Sequence, residues 1–215
     1  MYQKINKIPM SNRFFPGLLP IVGEDKFKKF FDRYQNLFAN HDLPCNLKLQ
    51  WHLVEGILPG LAFYQVLRES GESQESALAI IDQAFVALFS DNFAKMKKLG
   101  RLSFIYPFLR ISFKPAMRQY PPEGWKIVWL QIDNNAIRFD MKSCYYFDTF
   151  SKYGAPELTA SFCLVDDLTY ENMSPHIKWR RSKTIARGDG YCDFCFLPIK
   201  EQKKKVEIQK KESKK

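Results

Sequence analysis

The chain has 215 residues, of which 46% are hydrophobic and 15% aromatic, and it carries a net charge of +10. This composition excludes a largely disordered chain and predicts a core large enough for one sizeable domain. Half of the charge lies in residues 200–215, where eight lysines and three glutamates give +5. Such a tail is predicted to be disordered. We therefore do not expect nucleic acid to be a partner.

The five cysteines, at positions 45, 144, 163, 192 and 195, do not suggest a disulfide framework, because their number is odd. The one Cys-x-x-Cys pair, Cys192 and Cys195, lacks the second pair of a zinc ribbon. The N-terminus has no apolar signal-peptide region, and no apolar run approaches the length of a membrane span. These features predict a reduced, cytoplasmic protein without a membrane span. A homo-oligomer is compatible with them.

The first half of the chain has helical periodicity. Residues 1–23, which contain several prolines and glycines, are predicted to form an extended arm before a single domain at 24–199. In the helical part, 24–119, one helix begins at Glu24 and a second runs over about 47–67, with a kink or break at Pro59. A third, capped by Ser73, ends near residue 99. Residues 101–119 fit a short helix as well as a strand.

The sheet-containing part, 120–199, begins where the hydrophobic period changes from 3.6 to 2. Strands are predicted at 125–132 and 137–145, joined by a hairpin turn. The second strand would place Cys144 on its polar face. A helix from Pro156 to about Val165 carries Cys163 and ends at Asp166. Two final strands complete an α+β fold, in which N-terminal helices pack with an antiparallel sheet of two hairpins and an intervening helix.

The segment 178–197 combines basic residues, glycines, acids and thiols. Alternation from residue 191 places Cys192 with Phe194 and Phe196 on one face of a strand, and Asp193 with Cys195 on the other. The preceding stretch, residues 187–190, is predicted to form a tight turn. A thiol beside arginines is a candidate nucleophile or metal ligand, although a buried free cysteine is more often a small hydrophobic residue.

On the second helix, His52 and Glu55 are three residues apart and share a face. They could be metal ligands, or a base with the carboxylate that orients it, or an ordinary helix histidine near a glutamate. No nucleophile elbow, P-loop, His-Glu-x-x-His or dinucleotide fingerprint is present.

Several motifs together resemble the L-2-amino-thiazoline-4-carboxylic acid hydrolase family over roughly residues 47–197. They are Trp51-His-Leu, Leu58-Pro-Gly-Leu-Ala-Phe-Tyr, Gly124-Trp125, Cys144-Tyr145, Gly154-Ala-Pro-Glu-Leu158, Phe162-Cys163-x-x-Asp166 and Thr184-Ile-Ala-Arg-Gly-x-x-x-Cys192-Asp-Phe. A looser likeness, in the order of the cysteines, is to the 4-vinyl reductase domain. That likeness implies a non-enzymatic small-molecule-binding or sensor domain as the alternative function.

The first resemblance implies hydrolysis of a small cyclic amidine that carries a carboxylate, with a carbamoyl-cysteine or an analogue as product. Such chemistry requires a nucleophile, a proton carrier and a cation for the carboxylate. The catalytic candidates are Cys192 as nucleophile, Asp193, Asp166 or His52 as proton carrier, and Cys144 and Cys163 beside them. The substrate-binding candidates are Arg181, Arg187, Glu55 and Thr184.

A metal-dependent version of the same reaction is the alternative mechanism. Cys144, Cys163 and Cys192 could bind zinc, or another divalent ion such as manganese, and a bound water would then attack the substrate. The cysteines could also be purely structural. The residues alone leave the three possibilities open, and no cofactor is required by the thiol mechanism.

Overall fold

The computed structural model describes the backbone of residues 14–199 and the side chains of residues 20–199. The predicted lysine-rich tail and the first thirteen residues of the predicted arm lie outside these residues. Residues 14–22 are helical and not extended, because helix α1, Phe14–Asn40, begins well before Glu24. A non-helical Gly23, with φ of 77°, kinks α1 and marks the point where the sequence predicted the helix to start.

The helices come first and two pairs of strands follow, as predicted, but two helices and not one lie between these pairs. The helices after α1 are α2 (Leu47–His52), α3 (Leu58–Glu69), α4 (Gln74–Gly100), α5 (Ile105–Ala116), α6 (Tyr145–Lys152) and α7 (Thr159–Glu171). The strands are β1 (Ile127–Ile132), β2 (Ile137–Met141), β3 (Ile177–Arg180) and β4 (Cys192–Pro198). The α+β fold class is confirmed.

A π-helical turn, Leu53–Ile57, joins α2 to α3. The amide of Leu58 donates to the carbonyl of Leu53, five residues back, which widens the helix. Pro59 follows at once and has no N–H to donate, so the interruption has the predicted cause but lies one turn earlier than predicted. Single π turns of this kind are frequent at functional sites, and this one follows His52 directly.

Helix α4 begins as predicted, with the side chain of Ser73 accepting a hydrogen bond from the amide of Ser76 at 3.1 Å. By length and composition alone, α4 could cross a membrane, so the expectation that no run reaches that length is wrong for this helix. The core helix of a soluble protein meets the same criterion. The ambiguous segment after α4 is helical, as α5 followed by a 3-10 turn, Met117–Gln119.

The four strands form one antiparallel sheet in the order β1-β2-β4-β3. Both predicted hairpin pairings are present, and β2 and β4 join them, with Met141 opposite Cys192. Burial alternates along β4, so Cys192, Phe194 and Phe196 face the core while Asp193 and Cys195 face away, as predicted. One face of the sheet is thus covered and the other is not.

Two predicted boundaries near the sheet are wrong. Strand β2 ends at Met141 and not at Tyr145, which is instead the first residue of helix α6. Cys144 is therefore the residue before the first turn of α6 and does not lie on a strand face. Helix α7 does not end at Asp166 but continues to Glu171. The aromatic run Tyr145-Tyr-Phe resembles a strand by propensity, and tertiary packing overrides that preference.

The buried side chains form two hydrophobic clusters. One joins α1, α3, α4, α6 and the start of α7, with Phe30, Phe63 and Phe85 among its largest members. The other lies between α5 and the covered face of the sheet, with Phe113 contacting Phe139 and Phe196. Tyr145 and Tyr146 of α6 contact both clusters, and the candidate site lies where the clusters meet.

Candidate active site

A cavity of about 290 Å³ lies at the junction of the two clusters. Most of its wall is aromatic or aliphatic, which is typical of a small-molecule site with a few convergent polar groups. The polar, thiol and tyrosine side chains that line it come from six parts of the chain: His52, Glu55, Gln119, Tyr120, Cys144, Tyr146, Thr159, Cys163, Asp166, Tyr170, Arg181 and Cys192.

One face of helix α7 supplies much of this wall. Thr159, Phe162, Cys163, Asp166 and Tyr170 all line the cavity. Their spacing of three, four, seven and eleven residues from Thr159 is that of a single helical stripe. The stripe extends past Asp166 because α7 is longer than the sequence predicted. The helix thereby places a thiol and a carboxylate in the same cavity, one turn apart.

The covered face of the sheet supplies the opposite wall, with Met141 from β2 and Cys192 from β4. Cys192 is 5% exposed, and its sulfur accepts a hydrogen bond from the amide of Ile185 at 3.3 Å. That amide belongs to the turn that precedes β4. The predicted convergence of Cys144, Cys163 and Cys192 on one cavity is present in the structure.

Arg181 places a positive charge in the wall of the cavity. Its side chain is 2% exposed and is held by Asp167 at 2.6 Å, Asp166 at 3.4 Å and the carbonyl of Cys163 at 2.8 Å. All three partners lie on α7, so the arginine ties the end of β3 to the helix. Burial of the ion would be costly without them.

Asp166 is the acid of the cavity. Although 40% of its side chain remains accessible, it faces the cavity and is surrounded by protein. Burial raises the pKa of this carboxyl to about 6, against the opposing effect of the Arg181 charge. A group with a pKa near 6 exchanges its proton readily at neutral pH, as a general acid or base must.

The three thiols of the cavity favour the protonated form. Burial raises the pKa of Cys144 to about 12 and also raises the pKa of Cys163 and of Cys192. At Cys192 the Ile185 amide and the charge of Arg181 act in the opposite direction and favour the thiolate. A nucleophilic role for Cys192 therefore requires a base that removes its proton during attack.

His52 is buried, with 3% exposure, and both ring nitrogens have partners. Nε2 lies 3.1 Å from the carbonyl of Gln119, which can only accept, so Nε2 carries the proton. Nδ1 then accepts a hydrogen bond from the Tyr146 hydroxyl at 3.1 Å. Burial lowers the pKa of His52, so the ring is neutral and acts here as a fixed link between the π turn and α6.

Three predicted site residues do not line the cavity. Asp193 points to the other face of β4, where its carboxylate accepts hydrogen bonds from the amides of Ser182 and Lys183. Arg187 is exposed on the turn before β4. Thr184 is buried, and its amide donates to Asp189 at 2.9 Å. These residues lie in or beside the β3–β4 connection and not in the cavity wall, whereas Glu55 does line the cavity.

The residues of the cavity do not fit a metal site. Within residues 20–199, no group of three histidine, cysteine or acidic side chains is placed to hold an ion together. The thiols Cys144, Cys163 and Cys192 share the cavity wall without forming such a set.

Five of the polar residues that line the cavity were not predicted from the sequence: Gln119, Tyr120, Tyr146, Thr159 and Tyr170. Tyr146 lies in helix α6, which the sequence did not predict. Thr159 is 2% exposed, and its hydroxyl has no hydrogen-bond partner among the described residues. An unpaired buried hydroxyl that lines a cavity is a place for a ligand atom. The helical spacing from Thr159 to Asp166 was readable in the sequence, but only once α7 had been extended past Val165.

Comparison with solved structures gives only weak likenesses. A structure titled "Structural insights into the molecular mechanism of H-NOX activation" shares 12% identity and covers 91% of this chain and 99% of its own, with a TM-score of 0.32. An oxygen-binding H-NOX domain related to soluble guanylate cyclases shares 13% identity and has the same TM-score. That match covers 89% of this chain and 96% of the H-NOX domain. These values are too low to support an argument about function. No curated protein matches the chain.

The comparison with protein families gives a match over more than half of the chain. The model of the L-2-amino-thiazoline-4-carboxylic acid hydrolase family matches residues 50–196, from the end of α2 to β4. The matched region includes the cavity walls from His52 to Cys192 and confirms the resemblance carried by the sequence motifs. The chain therefore belongs to the L-2-amino-thiazoline-4-carboxylic acid hydrolase family.

Proposed function

We propose that the protein hydrolyses a small cyclic amidine that bears a carboxylate, in the manner of an L-2-amino-thiazoline-4-carboxylate hydrolase. The observation that carries this proposal is the meeting of Asp166, Arg181 and Cys192 in one apolar cavity. Together these residues offer a proton carrier with a pKa of about 6, a buried cation and a thiol. The volume of about 290 Å³ suits a substrate of this size.

In the proposed first step, the sulfur of Cys192 bonds to the amidine carbon of the ring. Asp166 in its ionised form takes the thiol proton as the sulfur attacks. The bond between that carbon and the ring nitrogen then breaks, and Asp166 returns the proton to the departing nitrogen. This use of a base overcomes the raised pKa of the buried thiol.

In the second step, water attacks the same carbon and the bond to Cys192 breaks. Asp166 receives a proton from the water and transfers it to the departing sulfur, which restores both groups. The net reaction adds one water to the substrate and gives an S-carbamoyl-cysteine when the substrate is L-2-aminothiazoline-4-carboxylate. One carboxylate therefore serves as base and acid in turn.

Arg181 is the proposed partner of the substrate carboxylate. Three of its five N–H groups are occupied by the two aspartates and the Cys163 carbonyl, so two remain for a ligand. The unpaired Thr159 hydroxyl supplies a further hydrogen-bonding group on the same wall. His52 and Tyr146 hold the opposite wall in place and take no proton.

Turnover of L-2-aminothiazoline-4-carboxylate by the purified protein tests the proposal. We expect product formation in the wild type, loss of it in Cys192→Ser, and wild-type rates in the matched control Cys195→Ser, which alters the thiol on the opposite face of the same strand. Full turnover in Cys192→Ser would show that the thiol is not the nucleophile. Tight binding of the compound without any turnover would favour the sensor-domain alternative.

A further inference from the structure

Helix α5 is apolar on two sides. Its inner side, with Ile105, Tyr106 and Phe113, is buried against the sheet. Its outer side carries Phe104, immediately before the helix, and Phe108 and Ile111 within it. These outer residues are 57%, 49% and 72% exposed.

The outer residues form a continuous strip. Phe104, Phe108 and Ile111 are separated by four and three residues, which places them on one helical face. Leu99 and Leu102, just before them in the chain, are also exposed, at 40% and 39%. Single exposed apolar residues are ordinary on a protein surface, but a contiguous strip of large ones marks a contact surface. We call Phe104, Phe108 and Ile111 the α5 strip.

The chain segment that contains the α5 strip carries basic residues and no acidic ones. Residues 92–122 contain no aspartate or glutamate and seven basic residues: Lys95, Lys97, Lys98, Arg101, Arg110, Lys114 and Arg118. None of the seven forms an ion pair with a carboxylate in the part of the chain that the structure describes. These seven residues give the segment a charge of +7, which exceeds the net charge of +5 on residues 1–199 as a whole.

The basic side chains border the strip. Lys114 follows Ile111 by three residues and so lies at the edge of the strip, whereas Arg110, one residue before Ile111, lies about 100° further round the helix. Beside them, a shallow groove is lined by Arg110, Lys114, Arg118 and Lys48, with Glu123 as the acidic residue among its lining. An apolar strip bordered by cations and a cationic groove fits a surface that offers both hydrocarbon and anionic headgroups.

We propose that the outer side of α5 binds the surface of a membrane that contains anionic lipid, with the α5 strip inserted among the acyl chains and the surrounding basic residues on the headgroups. Nucleic acid would explain the charge but not the exposed phenylalanine and isoleucine. A second copy of this chain would explain the apolar strip but not seven like charges, which would repel each other across a symmetric contact.

Flotation of the full-length protein with vesicles tests the proposal. We expect binding to vesicles of phosphatidylglycerol and phosphatidylcholine, weaker binding to phosphatidylcholine alone, and release by salt. The double variant Phe108→Ser, Ile111→Ser should lose at least about 100-fold in affinity. The matched control Val128→Ser, Leu130→Ser, which changes exposed apolar residues on β1, should bind as the wild type does.

A second pair of variants tests the charge. Lys97→Ala, Lys98→Ala should lose about 30-fold in vesicle affinity, since each basic residue near an anionic surface contributes about fivefold. Lys28→Ala, Lys29→Ala, which removes two exposed lysines from α1, is the control and should have little effect. The terminal tail is the same in every variant, so differences among them report on α5.

Three outcomes would overturn the proposal. One is wild-type vesicle binding by both α5 variants. Another is binding of a short RNA or DNA duplex that depends on Lys97 and Lys98 and not on Phe108 and Ile111, which would point to nucleic acid. The third is a dimer in sedimentation analysis that the Phe108→Ser, Ile111→Ser variant converts to a monomer. Circular dichroism and thermal unfolding establish that each variant is folded before these comparisons.

Discussion

The pairing of Arg181 with Asp166 makes a specific prediction about the pH dependence of catalysis. The proposed reaction needs Asp166 ionised, so kcat/KM should rise with pH, with an inflection at about 6, and level off above it. The charge of Arg181, 3.4 Å away, lowers the pKa of Asp166 against the opposing effect of burial. Removal of this charge by Arg181→Met should therefore raise the pKa further.

The size of the change follows from the geometry. An opposite charge at this distance lowers a carboxyl pKa by about 1 to 3 units. Because 40% of the Asp166 side chain is accessible and Asp167 shares the arginine, the lower end of this range applies. The inflection should move from about 6 to about 7 in Arg181→Met. Arg180→Met, which removes the exposed neighbouring charge, is the control.

The assay is the pH profile of kcat/KM for L-2-aminothiazoline-4-carboxylate in the wild type and both variants. The pH of the inflection is the quantity to compare among the variants. The plateau value of kcat/KM is not suitable for this comparison, because Arg181 is also the proposed partner of the substrate carboxylate and its loss would lower that value. An inflection that stays at its wild-type position in Arg181→Met would refute the electrostatic link between the two residues. An inflection that persists in Asp166→Asn would show that another group titrates.

Three further predictions concern stability, measured by urea unfolding. Thr159→Val should stabilise the ligand-free protein by about 1 kcal/mol, because it removes a buried hydroxyl that has no hydrogen-bond partner. The same variant should bind substrate more weakly. A loss of stability would mean that the hydroxyl does have a hydrogen-bond partner. Gly60→Ala should destabilise the protein by about 1 to 3 kcal/mol, since the new methyl would lie 2.6 Å from the ring of Phe162. Gly71→Ala is the control: this glycine has φ of 92° and nothing lies within 4 Å of the added methyl, so the variant measures backbone strain without a clash. Asp193→Asn should destabilise at neutral pH by about 1 to 2 kcal/mol. Burial raises the pKa of Asp193, but the hydrogen bonds from Ser182 and Lys183 outweigh this effect and lower it overall. The ionised form therefore stabilises the fold above the unfolded pKa of about 3.9, and the stability difference between Asp193→Asn and the wild type should shrink as pH falls through the folded pKa. A stability difference that stays constant down to strongly acidic pH would contradict this reasoning.

Much of the fold was predictable because the hydrophobic period is unambiguous in its long elements. The 3.6-residue period of apolar residues predicted helix α4, and Ser73 before it predicted the N-cap. Strict alternation of residues predicted which side chains of β4 face the core. That alternation already placed Asp193 opposite Cys192, so its assignment to the site conflicted with the pattern. Arg187 and Thr184 were predicted as site residues because they belong to the motif that precedes Cys192. A sequence motif does not distinguish residues that shape a turn from those that face a cavity.

What was missed depends on tertiary packing. Helix α6 is short and aromatic, so its local preference resembles that of a strand, and its position between two clusters decides its conformation. The raised pKa of Asp166 comes from burial that no local pattern encodes. The unpaired hydroxyl of Thr159 is likewise a property of its surroundings.

The most direct test of the proposed mechanism is the mass of the protein during turnover. Rapid acid quenching of the wild type with L-2-aminothiazoline-4-carboxylate should trap a substrate-derived adduct, and peptide mapping should locate it on Cys192. Asp166→Asn, which slows proton transfer, should reduce the rate at which the adduct appears. Steady turnover with no adduct at any quench time, together with undiminished activity in Cys192→Ser, would contradict the mechanism and place the attack on a water molecule instead.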